Sequence, residues 1–384
     1  MKIGLYLENG GISGVDLSHP WRGNPGIGGT EFNFVTLAQA FADRFRSLGI
    51  TPTLYANNPA NLPKDIRAVQ APDCLTAVRM AESDGATAFL WRPTVRPDTD
   101  ALTDALPDLR LSLFVWAHNT PRLQLLRRFA ESDAVAAFVP VGIEQARLIG
   151  EHPIQMKTTV ISNGFHNPAF AAGNVEKDSD LIVYLGAMIP VKGFGVLARA
   201  WPRVVAAHPA ARLAVIGSAR LYRRENPVGA WGLADERFEA DQIRPHLAGP
   251  DGRPHPSISF LGVLGTEKIA LMRRAGMGVV NPSGRGENCP GSAIEFLAAG
   301  TPVVSIAREG LLDVVTHEKT GLLGTEEDDL AENLLTLLNE PGRAAALGAE
   351  GPADIAARFN YDKICAAWAD LLTAKSTAPR ARTV

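Results

Sequence analysis

Short apolar runs recur along the chain, with segments of helical character between them. Ile3–Leu7, Thr53–Ala56, Ala86–Trp91, Leu111–Trp116, Ala134–Val139 and Thr159–Ser162 read as strands in the first half. Leu181–Gly186, Arg212–Gly217, Ile258–Leu261, Gly278–Asn281 and Val303–Ile306 do so in the second. Near-continuous apolarity marks strands buried on both faces, hence parallel sheets. Strands alternating with helices then give an α/β architecture. The segment after the first strand carries the helical period. Phe34, Leu37, Ala38, Phe41, Phe45 and Leu48 form its apolar face, Gln39, Asp43, Arg44 and Arg46 fall elsewhere, and Gly49 marks the stop.

The stretch from Phe165 to Asp180 breaks this pattern with His166, Asn167, Pro168, Gly173 and Asn174, and a strand-led series restarts at Leu181. Two α/β units follow: a first domain over 1–165, a linker over 166–180, a second domain over 181–358, and a final helix with a tail expected to fray over 359–384. A chain of 384 residues accommodates two or three domains of about 150 residues. Between Ala219 and Pro256 runs a polar insertion rich in Pro and Gly, readable either as a functional loop or as a tolerated surface excursion.

Charge and cysteines exclude several classes. Lys and Arg number 38 against 41 Asp and Glu, a formal charge of −3, which does not suit a dedicated nucleic-acid binder. Cys74, Cys289 and Cys365 have no metal-ligand spacing and cannot all pair, which suggests a reducing compartment. Glu8 and Asn9 arrive too early for a signal peptide. The least polar stretch, Ala134 to Ile143, is broken by Pro140 and too short to span a bilayer.

The chemistry concentrates between Asn281 and Pro302. A strand ends near Asn281, a Gly-rich loop follows, and a short helix runs from about Gly291 to Ala299 behind Pro290. The amides of Gly291, Ser292 and Ala293 would face one point at the positive end of that helix, a geometry that binds phosphate. Glu287 and Glu295 frame the helix start, and carboxylates accept hydrogen bonds from sugar hydroxyls. Together they suggest a polyol gripped at both ends of a diphosphate. Cys289 reads as a structural thiol, since no His lies nearby in sequence to activate it. A second glycine loop, Gly28-Gly29-Thr30-Glu31, opens onto the first long helix; its plain alternative is a turn capped by Thr30. His118 closes the fourth strand, where ligand crevices form; its plain alternative is a core histidine bonded to backbone. No Asp-x-Asp pair or His spacing suggests a metal, so metal-independent chemistry is expected.

The Glu-x7-Glu run and the Ala-Ala-Gly-Thr-Pro-Val-Val after it resemble the donor site of retaining glycosyltransferases of the GT-B fold, family four. Gly28-Gly29-Thr30-Glu31, Ile161-Ser162-Asn163-Gly164, the segment from Leu185 to Gly193 and Phe260-Leu261-Gly262-Val263-Leu264 match further family segments in order. The resemblance implies two Rossmann-like domains facing a central cleft, with the C-terminal helix, Tyr361–Leu372, crossing back to the first domain. It implies a hexosyltransferase that moves a sugar from a nucleotide diphosphate donor of the UDP or GDP type to an acceptor hydroxyl, with no separate cofactor. Glu287 would touch the sugar, Glu295 the ribose, Lys192, Gly291 and Ser292 the diphosphate, and Val263 would lie beside the base. Gly28 and Gly29 would face the leaving phosphate, and His118 the transferred sugar. The acceptor would be a glycan, a lipid-linked glycan or a small molecule. The place would be cytoplasmic, with peripheral contact at the inner face of a membrane. One departure stands out: the family's Arg after Gly186 is Ala187 here, leaving Lys192 alone, with Arg220, Arg223, Arg224 and Arg285 as substitutes. Two rivals stay open. An epimerase on the same fold would need carboxylates in both domains, and the first half shows no distinctive pair. A catalytically silent sugar-nucleotide-binding scaffold would account for Ala187.

Overall fold

A computed structural model of the chain describes residues 1–12, 14–94, 97–171, 173 and 175–376. All but the first residue of the tail expected to fray, Ser376 to Val384, lies outside them, as does Asn174 of the expected linker. The described chain divides into two compact units.

The first unit comprises Met1–Trp21, Gly29–His166 and the helix Tyr361–Lys375. Its sheet contains β1 (Lys2–Leu7), β2 (Thr51–Ala56), β3 (Arg67–Gln70), β4 (Ala88–Trp91), β5 (Ser112–Ala117) and β6 (Val135–Pro140), all parallel, in the order β3-β2-β1-β4-β5-β6. The C-terminal helix packs on this unit, as expected. Trp368 meets Trp116 edge to face at 5.2 Å, and the Tyr361 ring fills the space a side chain at Gly164 would need. Burying these aromatic faces supplies much of the hydrophobic free energy that docks the helix.

The second unit comprises Arg22–Gly28 and Asn167–Arg358. Its strands β7 (Asp178–Leu185), β8 (Arg212–Ile216), β9 (Ile258–Gly262), β10 (Ala275–Val279), β11 (Val303–Ile306) and β12 (Gly321–Gly324) are parallel, in the order β12-β11-β10-β7-β8-β9. Both sheets therefore have the doubly wound order 3-2-1-4-5-6, whose chain reverses direction across one crevice, at β1/β4 in the first and β7/β10 in the second.

Several expectations need correction. Thr159–Ser162 is no strand: it runs extended beside β6, with the Thr159 and Ile161 amides donating to Phe138 O and Pro140 O, but outside the named strands. The edge strands β3 and β12 went unread. β7 begins at Asp178, inside the stretch expected as linker. The long first helix spans Gly29–Ala42 and stops before Phe45; Leu48 is exposed in a separate short turn that Gly49 closes. The insertion 219–256 is only in part a surface excursion. Leu233, Phe238, Ile243 and Leu247 enter the second core, and the wholly buried Glu239 accepts from the amides of Trp231, Leu233 and Ala234 at 2.7–3.0 Å. Three backbone donors offset the cost of burying that carboxylate.

Candidate active site

The residues singled out in the second half gather at the β7/β10 crevice because the two strands deliver them there. After β7 a tight turn, Pro190–Lys192, ends at Gly193 in the left-handed region, φ 69°. A side chain at Gly193 would lie 2.4 Å from the Ser283 amide, so only glycine lets this turn press against the loop after β10. That contact brings Lys192 to Glu287, 95 residues on: Nζ lies 2.6 Å from Oε1. Asn281 Nδ2 donates to the same oxygen at 3.1 Å and to Arg285 O at 2.8 Å. The Glu287 amide donates to Glu309 Oε2 at 3.1 Å, and its carbonyl accepts from Gly310 N at 2.8 Å. Lys192 and Glu287 side chains are 18% and 13% exposed, sheltered but reachable. Burial pulls the Lys192 pKa down, yet Glu287, with Tyr222 and Glu309 behind it, outweighs that and holds it above the ordinary lysine value. The ammonium is therefore fully charged at neutral pH.

The helix Gly291–Ala298 starts beside this pair. It lies close against β10 because Gly278 has no side chain; a Cβ there would fall 2.5 Å from the Phe296 ring. No side chain caps the helix. The amides of Gly291 and Ser292 take no bond among the described residues, and a Cβ at Gly291 would meet open space. Ala293 differs from expectation, since its amide donates to Pro290 O at 3.0 Å. Two oriented donors at a helix start, next to an ammonium, make a place for an anion. Glu295, four residues in, is buried and paired with the equally buried Lys268 at 2.9 Å.

Other expected residues scatter. Arg220 donates to Asn226 O at 3.0 Å, bracing its own loop. Arg224 donates to Gly26 O at 2.6 Å within the second unit, and Arg285 is exposed. Arg220 and Arg224 are thus held by backbone carbonyls, while Tyr222 of the same loop helps to hold the Lys192 pKa up. Val263 is half-buried after β9, and Gly26 presses on it, which leaves room for no Cβ. Gly28 closes the Arg22–Gly28 segment of the second unit, and Gly29 opens the first unit's long helix. Cys289 is partly buried in the loop before the helix Gly291–Ala298.

In the first unit, His118 is buried after β5, with Nε2 3.1 Å from Asn163 Oδ1. Burial, aided by Arg92, drives its pKa down to about 3, so the ring is neutral. The first half does contain a carboxylate pair. Arg92, after β4, lies 2.9 Å from Glu31 and 3.6 Å from Glu8, which follows β1. Sequence spacing could not show this, since the sheet order brings the three together. Asn281, Glu309 and Lys268 were missed too. The signal for Glu309 is its position after β11 beside a glycine; its backbone has a positive φ of 46°. Among the described residues no group of three or more His, Cys, Asp or Glu side chains could hold a metal ion.

Residues 179–340 match the family described as Glycosyl transferases group 1. The chain is 28% identical over 246 residues to the GDP-mannose-dependent monoacylated alpha-(1-6)-phosphatidylinositol monomannoside mannosyltransferase of Corynebacterium glutamicum, covering 62% of this chain and 56% of that one. It is 30% identical over 243 residues to a D-inositol 3-phosphate glycosyltransferase of Stackebrandtia nassauensis, covering 58% and 51%. The matches thus span about half the length of these relatives. Among solved structures, sucrose-phosphate synthase of Thermosynechococcus elongatus matches with a TM-score of 0.71 at 18% identity, covering 97% of this chain and 98% of that one. HepE of Anabaena, in complex with UDP and glucose, matches with a TM-score of 0.67 at 16% identity, covering 97% and 100%. These likenesses establish a two-domain α/β fold of the GT-B type.

Proposed function

We propose that this chain, whose residues 179–340 match the family Glycosyl transferases group 1, transfers a hexosyl unit from a nucleotide diphosphate sugar to an acceptor hydroxyl with retention of anomeric configuration. The observation that carries this reading is the Lys192–Glu287 pair beside an uncapped helix start at the β7/β10 crevice. Ligands of doubly wound sheets bind there. Lys192 and the amides of Gly291 and Ser292 stabilise the diphosphate as it leaves. Glu287, held by Asn281, accepts from the sugar hydroxyls, and Glu295 from the ribose. UDP and GDP donors suit the relatives, whose names include a GDP-mannose-dependent enzyme and a structure solved with UDP. A lipid-linked or small polyol acceptor agrees with those names too. No described helix is long and apolar enough to cross a membrane; a glycolipid acceptor would require peripheral contact. The His118 ring is neutral, which does not suit a general acid. Glu8 and Glu31 do not favour an epimerase, because both are engaged by the Arg92 guanidinium.

The test is incubation with UDP- and GDP-hexoses, first alone and then with polyol and lipid-linked acceptors, in the presence of a chelator. Product with a retained anomeric bond is expected, and chelator should leave it largely intact. Epimerised donor without acceptor would instead establish the rival chemistry. Loss of transfer on chelation, rescued by magnesium or manganese, would show that lysine and helix amides do not suffice for the leaving group. Glu295→Ala is expected to weaken nucleoside diphosphate binding by about tenfold, the worth of a charge-assisted hydrogen bond. Titration calorimetry measures it, and unchanged affinity would remove Glu295 from the nucleotide.

A further inference from the structure

Each of the two acids eight residues apart has a lysine of its own. Glu287 has Lys192, and Glu295 has Lys268. The second pair differs from the first in its depth. Lys268 is 4% exposed and Glu295 9%, with Nζ 2.9 Å from Oε1. Lys268 opens the short helix Lys268–Arg274, beyond β9 and the expected base-flanking segment. Its ammonium has no other partner among the described residues, and neither does Glu295 Oε2. Oε2 is also absent from the buried atoms that lack a partner, so solvent reaches it.

A buried ion pair is a poor source of stability, because desolvation offsets most of the Coulomb attraction. What such a pair does supply is orientation. With Oε1 held by an ammonium, the carboxylate plane is fixed and Oε2 is presented outward as an acceptor. The ammonium also cancels the Glu295 charge, which would otherwise oppose a diphosphate at the start of the same helix. A carboxylate oxygen held outward in a fixed plane accepts hydrogen bonds from the hydroxyls of a vicinal diol.

The geometry points to Lys268 as the positioning residue that makes Glu295 a reader of the ribose diol, so that the Lys268–Glu295 pair sets the preference for ribonucleotide over 2′-deoxyribonucleotide donors. This rests on the proposed placement of the nucleotide, and it adds a residue and a selectivity to it. A merely structural lysine would alter folding or overall activity without altering the ratio between the two sugars.

The experiment compares affinities for UDP and GDP with those for their 2′-deoxy forms, by titration calorimetry on the full chain, with thermal unfolding as a check. In the wild type the ribonucleotide should bind about tenfold or more tightly than its deoxy form. Lys268→Met should lose most of that ratio by weakening the ribonucleotide and leaving the deoxy form nearly unchanged. Donor KM should rise with kcat little altered, and Lys268→Arg should recover part of the ratio. Lys268→Met also strands the Glu295 charge, so Lys268→Met/Glu295→Gln supplies a neutral pair that keeps the unit folded. The double variant should discriminate no worse than Glu295→Gln alone, since the lysine acts through the acid. A folded Lys268→Met with the wild-type ratio, or a double variant with additive losses, would overturn the inference. If Glu295→Ala itself leaves nucleotide affinity unchanged, the nucleotide placement fails first; if Glu295 matters and Lys268 does not, only this inference fails.

Discussion

Lys192→Ala is expected to lose about two decades of turnover or more, the loss typical of removing one donor aimed at charge that develops in the transition state. The diphosphate gains negative charge as the bond to the sugar breaks, and Lys192 is the cation this crevice provides. The residue that supplies a second cation in the resembled family is Ala187, which is buried, and Arg220 and Arg224 are turned to backbone carbonyls of Asn226 and Gly26. Lys192→Gln should recover little, since a neutral amide at the same reach lacks the charge. One complication is that Lys192 also balances Glu287, so its removal leaves that carboxylate with Asn281 alone. Comparing Lys192→Ala/Glu287→Gln with Glu287→Gln alone separates the two effects, because the acid is neutral in both. If the loss came only from a stranded Glu287, removing the lysine from the Glu287→Gln enzyme would cost nothing further. A further loss is expected. Near-normal turnover in Lys192→Ala, measured at saturating donor, would remove the diphosphate from this crevice.

What the sequence disclosed depended on how local its signal was. The strands of both sheets announce themselves because β1, β4, β5, β7 and β10 are buried on both faces, and continuous apolarity survives in the sequence. β3, Arg-Ala-Val-Gln, and β12, Gly-Leu-Leu-Gly, are edge strands too short and mixed to do so. The apolar face predicted through Leu48 overran because periodicity continues past the point where Asp43 and Arg44 turn the chain. The helix start at Gly291 was legible from Pro290 and the glycines around it, all within one stretch. Lys268 was not, because its partner is 27 residues away in sequence and on another helix, and a lysine on a short amphipathic segment reads as a solvated face. Arg92 with Glu8 and Glu31 was hidden for the same reason. Only the order β2-β1-β4 makes residues 8 and 92 neighbours.

Glu287→Ala should lower turnover by about two to four decades while leaving nucleoside diphosphate binding intact or slightly tighter. The backbone at 287 is fixed independently of the side chain, by its amide to Glu309 and its carbonyl to Gly310, so alanine leaves the loop in place. What disappears is the acceptor for sugar hydroxyls and the counter-charge on Lys192, whose remaining contact is Gly286 O at 3.4 Å. An ammonium so released is more available to a bound diphosphate, hence the unchanged or tighter product affinity. The sugar, by contrast, loses the contact that fixes its anomeric carbon, and a small misplacement of reacting atoms costs rate steeply. Glu287→Gln should fall between, keeping an oxygen within reach of Asn281 but without charge. The contrast with Glu295→Ala is diagnostic, because the ribose belongs to donor and product alike whereas the hexose belongs to the donor only. Titration with nucleoside diphosphate and initial rates with nucleotide sugar separate the two acids. Full activity in Glu287→Ala, or equal losses of diphosphate affinity from both substitutions, would mean that the acids do not divide sugar from ribose in this way.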